Sequence, residues 1–416
     1  MVVRLDDSQP VYSLPSLEIP DEEEDAPAPG LSLVRQLGSA SRTKYNQQQL
    51  KRVVGALQLP EIIFGAAALS SIYNEDSHLS GFTPVRTVRL ALRYGINAFD
   101  TSAYYQQSEI VLGTALKALE TDFPRSSYKL MTKCGRYGST RADFDYSPTT
   151  IRASVQRSLK RLNTTYLDAV YLHDVEFIAT QVGARVAGDP TLALNEKKAE
   201  YGLVEGEEGK VWGEGDQKIL DALAELRKMQ DEGIVKAVGI TGYPLPTLLR
   251  LALLALHTPP YKPLDVLLSY SHLMLQNTAF AEFAPHFRDR AKISQLLTAS
   301  PLNMGLLTPK PPAWHPASQE LRDAAKQASS TCAQWDGGLP NVAVGFSFRK
   351  ANELSVPTVV GLSNPREVHE NVRVWREICE GKEEKELERL AQEQEVLKVF
   401  DNLKGWSWAS PPSKLL

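Results

Sequence analysis

Asp100, Tyr105, Lys133 and His173 are the residue types needed to move a proton while a hydride moves. A phenol with an ordinary pKa of about 10 is a poor base at neutral pH and needs help. A neighbouring ammonium, Lys133, is expected to lower it by stabilising the Tyr105 phenolate. Asp100 would hold Lys133 charged and in place, and His173 would orient a substrate oxygen or relay the proton. Each residue also has an ordinary role: a strand-end Asp is commonly a helix cap, a Lys a solvated surface group, a His a satisfied structural residue. Taken together on successive strand ends, they point to hydride transfer between a carbonyl or alcohol carbon and a nicotinamide. No GxSxG elbow supports a serine or cysteine nucleophile.

The elements that must position these groups are short aliphatic runs alternating with amphipathic segments, the pattern of repeated βα units and a parallel sheet. The strands expected are EIIFGA (61–66), INAFD (96–100), YKLMTK (128–133), LDAVYLH (167–173), VKAVGI (235–240), DVLLSY (265–270), QLLTAS (295–300) and VPTVVG (356–361). Helical patterns lie between them; Ser147-Pro148 and Asn364-Pro365 mark helix starts, and Gly95 and Gly233 mark ends. Eight such units predict a closed (β/α)8 TIM barrel, and no GxGxxG follows Phe64-Gly65 as a doubly wound sheet would require. In a barrel the C-terminal strand ends face the active site. Asp100 closes the second strand, Lys133 the third and His173 the fourth, with Tyr105 on the loop after Asp100.

With 416 residues, 43% of them hydrophobic and 23% charged, the chain can bury a core of that size. The formal net charge of −4 and the scattering of its 46 Lys and Arg give no pull toward polyphosphate or anionic lipid, so neither nucleic acid nor membrane is an expected partner. Protein partners are not legible. Cys134, Cys332 and Cys379 lack metal-ligand spacing and form no disulfide framework. No metal is expected, and a reducing, cytoplasmic location is. No apolar run is long enough to span a bilayer, and the chain opens with Asp6 and Asp7 rather than a signal sequence.

Three segments depart from the βα rhythm. Residues 1–50, with PDEEEDAPAPG, are expected to be a mobile, disordered arm before a barrel spanning 51–380. The stretch 176–215 separates the fourth strand from its helix and is either a lid over the barrel mouth or a solvated insertion. The tail 381–416 contains the helix-prone KEEKELERLAQEQEVLKVF and is expected to lie outside the barrel, away from the site.

The motifs FDTSAYY, LMTKCG, YLDAVYLHDVE, VKAVGITGY, ASPLNMGLLTP and VVGLSNPREVHENV, in this order over about 60–378, resemble those of the aldo-keto reductase family. The resemblance implies a tetrad of Asp100, Tyr105, Lys133 and His173, with Tyr104 the adjacent competitor for the tyrosine role. LHDVEF, LLSYSHLML and TASPLNMGLL are most similar to the group of fungal D-arabinose 1-dehydrogenases and plant L-galactose dehydrogenases. That likeness implies a sugar substrate oxidised at its anomeric carbon to an aldonolactone, with nicotinamide as cofactor. The family pattern further implies cofactor contacts from Thr241, Ser300, Leu302, Gly305, Leu306, Gly361, Ser363, Asn364, Glu367 and Asn371.

Three departures from the family pattern bear on the cofactor. Ala299 stands where an aromatic often lies under the nicotinamide, and Thr241-Gly242 replaces a Ser-Asn pair that holds its carboxamide. Glu367 stands where NADPH-preferring members carry a cation. A carboxylate there repels a 2'-phosphate and accepts from a free ribose diol, which favours NAD, although the adjacent Arg366 keeps NADP possible. The amides of Gly361 to Asn364 would cradle phosphate or ribose; Ser363 alone reads equally well as a helix cap. A reductase of pyridoxal-like aldehydes and a nucleotide-sensing binding subunit are the competing functions. Loops around Tyr73 and Trp212 are expected to shape substrate choice.

Overall fold

Runs of Ile, Val and Leu bounded by turn residues favour the extended backbone, and their period of two gives each strand an inner and an outer face. The computed structural model describes residues 12–28, 52–183, 187–381 and 383–412. It contains eight parallel strands: β1 Ile62–Gly65, β2 Ala98–Asp100, β3 Lys129–Cys134, β4 Ala169–His173, β5 Val238–Gly242, β6 Val266–Tyr270, β7 Gln295–Ala299 and β8 Thr358–Gly361. Each pairs with the next and β8 closes on β1, Thr358 facing Ile62, so the sheet is a closed barrel. Ile63, Met131, Tyr171, Leu268, Leu297 and Val359 fill the lumen, while Ile62, Phe64, Leu130 and Leu172 face the helices. β5 runs two residues past the expected Ile240, which puts Thr241 on the strand opposite His173.

The helices of the βα units are α1 Thr83–Tyr94, α2 Ser108–Ala118, α3 Pro148–Arg161, α4 Glu214–Asp231, α5 Leu245–Leu256, α6 Ala279–Asp289, α8 Gly338–Leu354 and α9 Pro365–Glu380. Between α6 and α8 an extra helix, α7 (Gln319–Thr331), splits the long stretch after β7. Gly95, at φ +87, stops α1 in the left-handed conformation that glycine adopts without strain. Asn364 caps α9 by accepting from the Glu367 amide, whereas Ser147 makes no side-chain cap on α3, whose start rests on Pro148. A two-residue antiparallel ladder, Val53–Val54 with Leu59–Pro60, plugs the face opposite the active site, with Leu59 reaching the lumen core.

The acidic stretch corrects its expectation in part. Residues 12–28 lie on the outer helices, with Asp25 fully buried and bonded to both Arg86 and Arg89 of α1. Arg86, Arg89 and Arg93 share one face of α1, and that basic stripe attracts the carboxylates that composition alone assigns to solvent. The remainder of the expected arm lies outside the described residues. The tail is corrected too. Its helix, α10 (Glu383–Val399), packs outside on α7 and α8 as expected, but residues 400–412 are not helical beyond a single turn and return to the barrel mouth. Among the described residues no helix is long and apolar enough to cross a membrane.

Candidate active site

β2, β3 and β4 are adjacent, so their C-terminal ends deliver Asp100, Lys133 and His173 side by side. Lys133 lies one residue before the end of β3, and its Nζ donates to Asp100 Oδ1 and, at 2.9 Å, to the Thr101 carbonyl. The turn after β2, closed by the Tyr105 amide on the Ser102 carbonyl at 3.1 Å, swings Tyr105 back over the mouth. Lys133 Nζ then lies 4.9 Å from the centre of the Tyr105 ring, and the His173 ring meets that ring edge-on at 5.6 Å. His173 Nδ1 and Ser102 Oγ are 2.9 Å apart, so Nε2 is the nitrogen left to face the mouth. The Tyr104 ring is also near, 5.9 Å from that of His173, but Arg136 stacks on its face at 3.8 Å.

Electrostatics correct one expectation. Burial, with the Asp100 and Asp174 carboxylates adding to it, holds the Tyr105 phenol well above its ordinary value of 10 instead of lowering it. Lys133 does not reverse this because Asp100, within hydrogen-bonding reach, neutralises its field. Burial also raises Asp100 above the usual carboxylate range, an effect that Lys133 opposes. His173 is pushed well below 6.5 by burial and by Lys133 and Arg136, so it is neutral at physiological pH.

The other half of the mouth comes from β5, β7 and β8. Thr241 is buried on β5. Ser300, at φ +61, begins the loop after β7 that carries Leu302, Gly305 and Leu306; Leu306 is buried and Gly305 has φ +91. Gly361 ends β8 exposed, and a Cβ there would meet only Ala68, at 3.8 Å. Ser363, Asn364, Glu367 and Asn371 gather at the start of α9. Their arrangement differs from the expected cradle: Glu367 turns back and accepts from the Ser363 amide at 2.6 Å and its hydroxyl at 3.0 Å, while its own amide donates to Asn364 Oδ1 at 3.0 Å. Arg366 next to it is exposed.

Some buried polar atoms here find no partner among the described residues. Asn371 Oδ1 has none, and neither side-chain atom of fully buried Asn303 has one. Buried amides are normally satisfied, so these are where a polar ligand would complete the site. Together with the 16-residue helix α9 aiming its N-terminus at this half of the mouth, they fit a dinucleotide. Asn303 escaped the sequence reading although it lies within SPLNMGLL; its left-handed φ of +49 is invisible without coordinates. Among the described residues no His, Cys, Asp and Glu group is placed to hold a metal.

The described part of the 176–215 stretch lies along α5 and α6, with Ala193, Leu194 and Leu203 in the main core and Arg250 of α5 bonded to Asp216 and to the Thr180 carbonyl. Its Gly188 pairs with Ser407 of the returning tail. Between the two is a cleft of about 190 Å³, lined by Glu176, Tyr243, His272, Trp408 and Ser410 but by no member of the tetrad. Trp408 stacks on Tyr243 at 3.9 Å, and Ser410 donates to Glu176 Oε1 at 2.8 Å. Glu176 fills the space a side chain at position 242 would need, and burial, then Asp174, pushes its carboxyl up to about 8. Of the loops named for substrate choice, Tyr73 meets Trp314 edge-on at 6.0 Å, whereas Trp212 is held by Lys210 at 3.8 Å.

A closed eight-stranded barrel with a Tyr, Lys, Asp and His at its C-terminal mouth defines a class of oxidoreductases. The chain belongs to the aldo/keto reductase family, whose model matches residues 61–391. It is 33% identical to the L-galactose dehydrogenase of Arabidopsis thaliana over 361 residues, 85% of this chain and 94% of that one. It is also 33% identical to the D-arabinose 1-dehydrogenase of Saccharomyces cerevisiae over 309 residues, 74% and 80% of the two chains. The solved structure of a Bacillus halodurans aldo-keto reductase in its holo form shares the fold, with a TM-score of 0.55 at 21% identity over 84% of this chain and 96% of that one.

Proposed function

We propose that this protein oxidises an aldose such as D-arabinose, L-galactose or L-fucose at C1 to the aldonolactone, with NAD as hydride acceptor, in carbohydrate metabolism of the ascorbate or erythroascorbate type. The observation that carries the substrate class is its likeness, over most of their length, to two relatives named for aldose dehydrogenation. When bound, NAD would supply the hydride acceptor for C1. The chain's own residues handle the oxygen. His173 Nε2 orients the anomeric hydroxyl and Tyr105 exchanges its proton, while Lys133, pinned by Asp100, stands beside the Tyr105 ring. C1 loses a hydride and its hydroxyl a proton, and the C1–O bond becomes the lactone carbonyl.

Thr241, Ser300, Leu302, Gly305, Leu306, Gly361, Ser363, Asn364 and Asn371 would hold the cofactor, with Glu367 near the adenosine ribose, where its charge disfavours a 2'-phosphate. One observation favours a second reading, reduction of an aldehyde: a phenol kept protonated by burial is a ready proton donor. Initial rates of nicotinamide reduction with D-arabinose, L-galactose and L-fucose, each with NAD and NADP, decide between them. Turnover with NAD is expected; silence with all three sugars alongside turnover of aldehydes with a reduced nicotinamide would reverse the assignment.

A further inference from the structure

Asp174, immediately after His173, is 2% exposed and sits at φ +53, ψ +60, a left-handed conformation that a non-glycine residue adopts only when its surroundings impose it. Its Oδ2 pairs with Arg136 and lies 3.6 Å from His173 Nε2, the nitrogen that faces the mouth. Its Oδ1 is buried with no hydrogen-bond partner among the described residues. Arg136 is held from two sides, by the Tyr104 ring at 3.8 Å and by donation from its Nε to the Gly138 carbonyl at 3.0 Å. The fold therefore fixes an ion pair beside the oxygen-orienting nitrogen and leaves one carboxylate oxygen with capacity to accept, which is costly unless a donor meets it in function.

We infer that Asp174, backed by Arg136, is a specificity-determining residue that accepts a hydrogen bond from a substrate hydroxyl on the carbon next to the reacting one. This rests on the proposed chemistry at His173 and deepens it: the substrate class becomes carbonyls and lactols bearing an adjacent hydroxyl. A substrate without that hydroxyl leaves Oδ1 unpaired in the closed site, and a site built to pair a polar group rejects the analogue lacking it far more strongly than one that only loses apolar contact. The 3.6 Å between Asp174 Oδ2 and His173 Nε2 sets the carboxylate beside the reacting centre.

Reduction of D-glyceraldehyde and of propanal, equal in carbon number and differing in hydroxyls, tests this in the full-length protein. The ratio of kcat/KM for glyceraldehyde over propanal should be large in the unaltered enzyme. Asp174→Asn, which keeps the shape and tolerates the left-handed backbone, should reduce that ratio at least about 30-fold, mainly through the KM for glyceraldehyde. Arg136→Lys should move it in the same direction by less, because the stacked guanidinium is lost but a charge remains. An equal loss on both substrates would show that Asp174 acts only by holding His173, and an unchanged ratio would show that the hydroxyl binds elsewhere; either overturns the inference. Oxidation of D-arabinose, L-galactose and L-fucose by the unaltered enzyme separates the two levels: its absence with all three, with the glyceraldehyde ratio still erased by Asp174→Asn, sinks the aldose assignment and leaves this one standing.

Discussion

The two halves of the barrel mouth are built on opposite plans. Between β2 and β4 the charged groups are tied to one another, Lys133 to Asp100 and Thr101, His173 to Ser102 and Arg136 to Asp174, although Asp100 Oδ2 and Asp174 Oδ1 find no partner among the described residues. Between β5 and β8 polar groups are left waiting, with Asn303 and Asn371 holding buried atoms unpartnered among the described residues. A half that is pre-paired has its reactive geometry set before any ligand arrives, which suits proton and hydride transfer. A half with open hydrogen-bonding capacity gains most when something binds, which suits holding a cofactor. The contrast teaches that damage to the first half should appear in turnover and damage to the second in affinity.

The largest test of that division is Tyr105→Phe, which removes the phenolic oxygen and nothing else. Turnover should fall by about a thousandfold or more while NAD affinity, read by fluorescence titration, changes little. A comparable loss of NAD binding would dissolve the distinction between the halves. The pH profile sharpens it further. The group acting as base in oxidation must be deprotonated, and Tyr105 is held well above 10, so oxidation should rise about tenfold per pH unit from neutral toward alkaline. Reduction, which uses the protonated form, should stay flat over the same range; a plateau for oxidation near neutral pH would assign the base to another group.

Effects in the second half should be smaller and of a different kind. Asn303→Ala should weaken NAD binding about tenfold with turnover at saturation changed far less, since it removes two buried polar atoms that await a partner. Glu367→Arg should raise NADP use relative to NAD by a similar factor, with a stability loss of about 1 kcal/mol because Glu367 also caps α9; an unmoved cofactor ratio would place the 2'-site elsewhere. The smallest effect belongs to the seam between the halves. Glu176, ordinarily 4.5 but about 8 in the fold, favours its neutral form when folded. Its stabilising contribution is complete below 4.5 and is lost as pH rises through 8. Glu176→Gln should therefore gain a few degrees in Tm over the original chain at pH above 8 and little or nothing at pH near 5.

The eight strands were legible because each is a local apolar run, and so was the gathering of Asp100, Lys133 and His173 at one mouth, because each ends such a run. What escaped the reading depends on partners far away in the chain. Trp408 reaches Tyr243 across most of the C-terminal half, and Ser407 pairs with Gly188; nothing near either residue signals the other. The basic stripe of α1 was visible, and so were the carboxylates of residues 21–25, but only packing shows that they meet. The rise of the Tyr105 pKa was misjudged for a similar reason. Proximity of a lysine could be inferred from strand order, whereas the degree to which Asp100 cancels it is set by a contact shorter than any pattern in the sequence resolves.

Residues 24–28 touch both the first and the last helix of the βα series. Ala28 donates to the Tyr94 hydroxyl of α1 at 2.6 Å and accepts from Arg376 of α9 at 2.8 Å, and the Glu24 carbonyl meets His369 of α9 at 2.7 Å. A rolled sheet has one place where its start must find its finish, and here a piece of chain from before the barrel is stitched across it on the outside. The segment is a splint over the β8–β1 closure: cutting it away should let amide hydrogens along that pair of strands exchange with solvent before those of β3 to β6, so that opening of the barrel begins at the join.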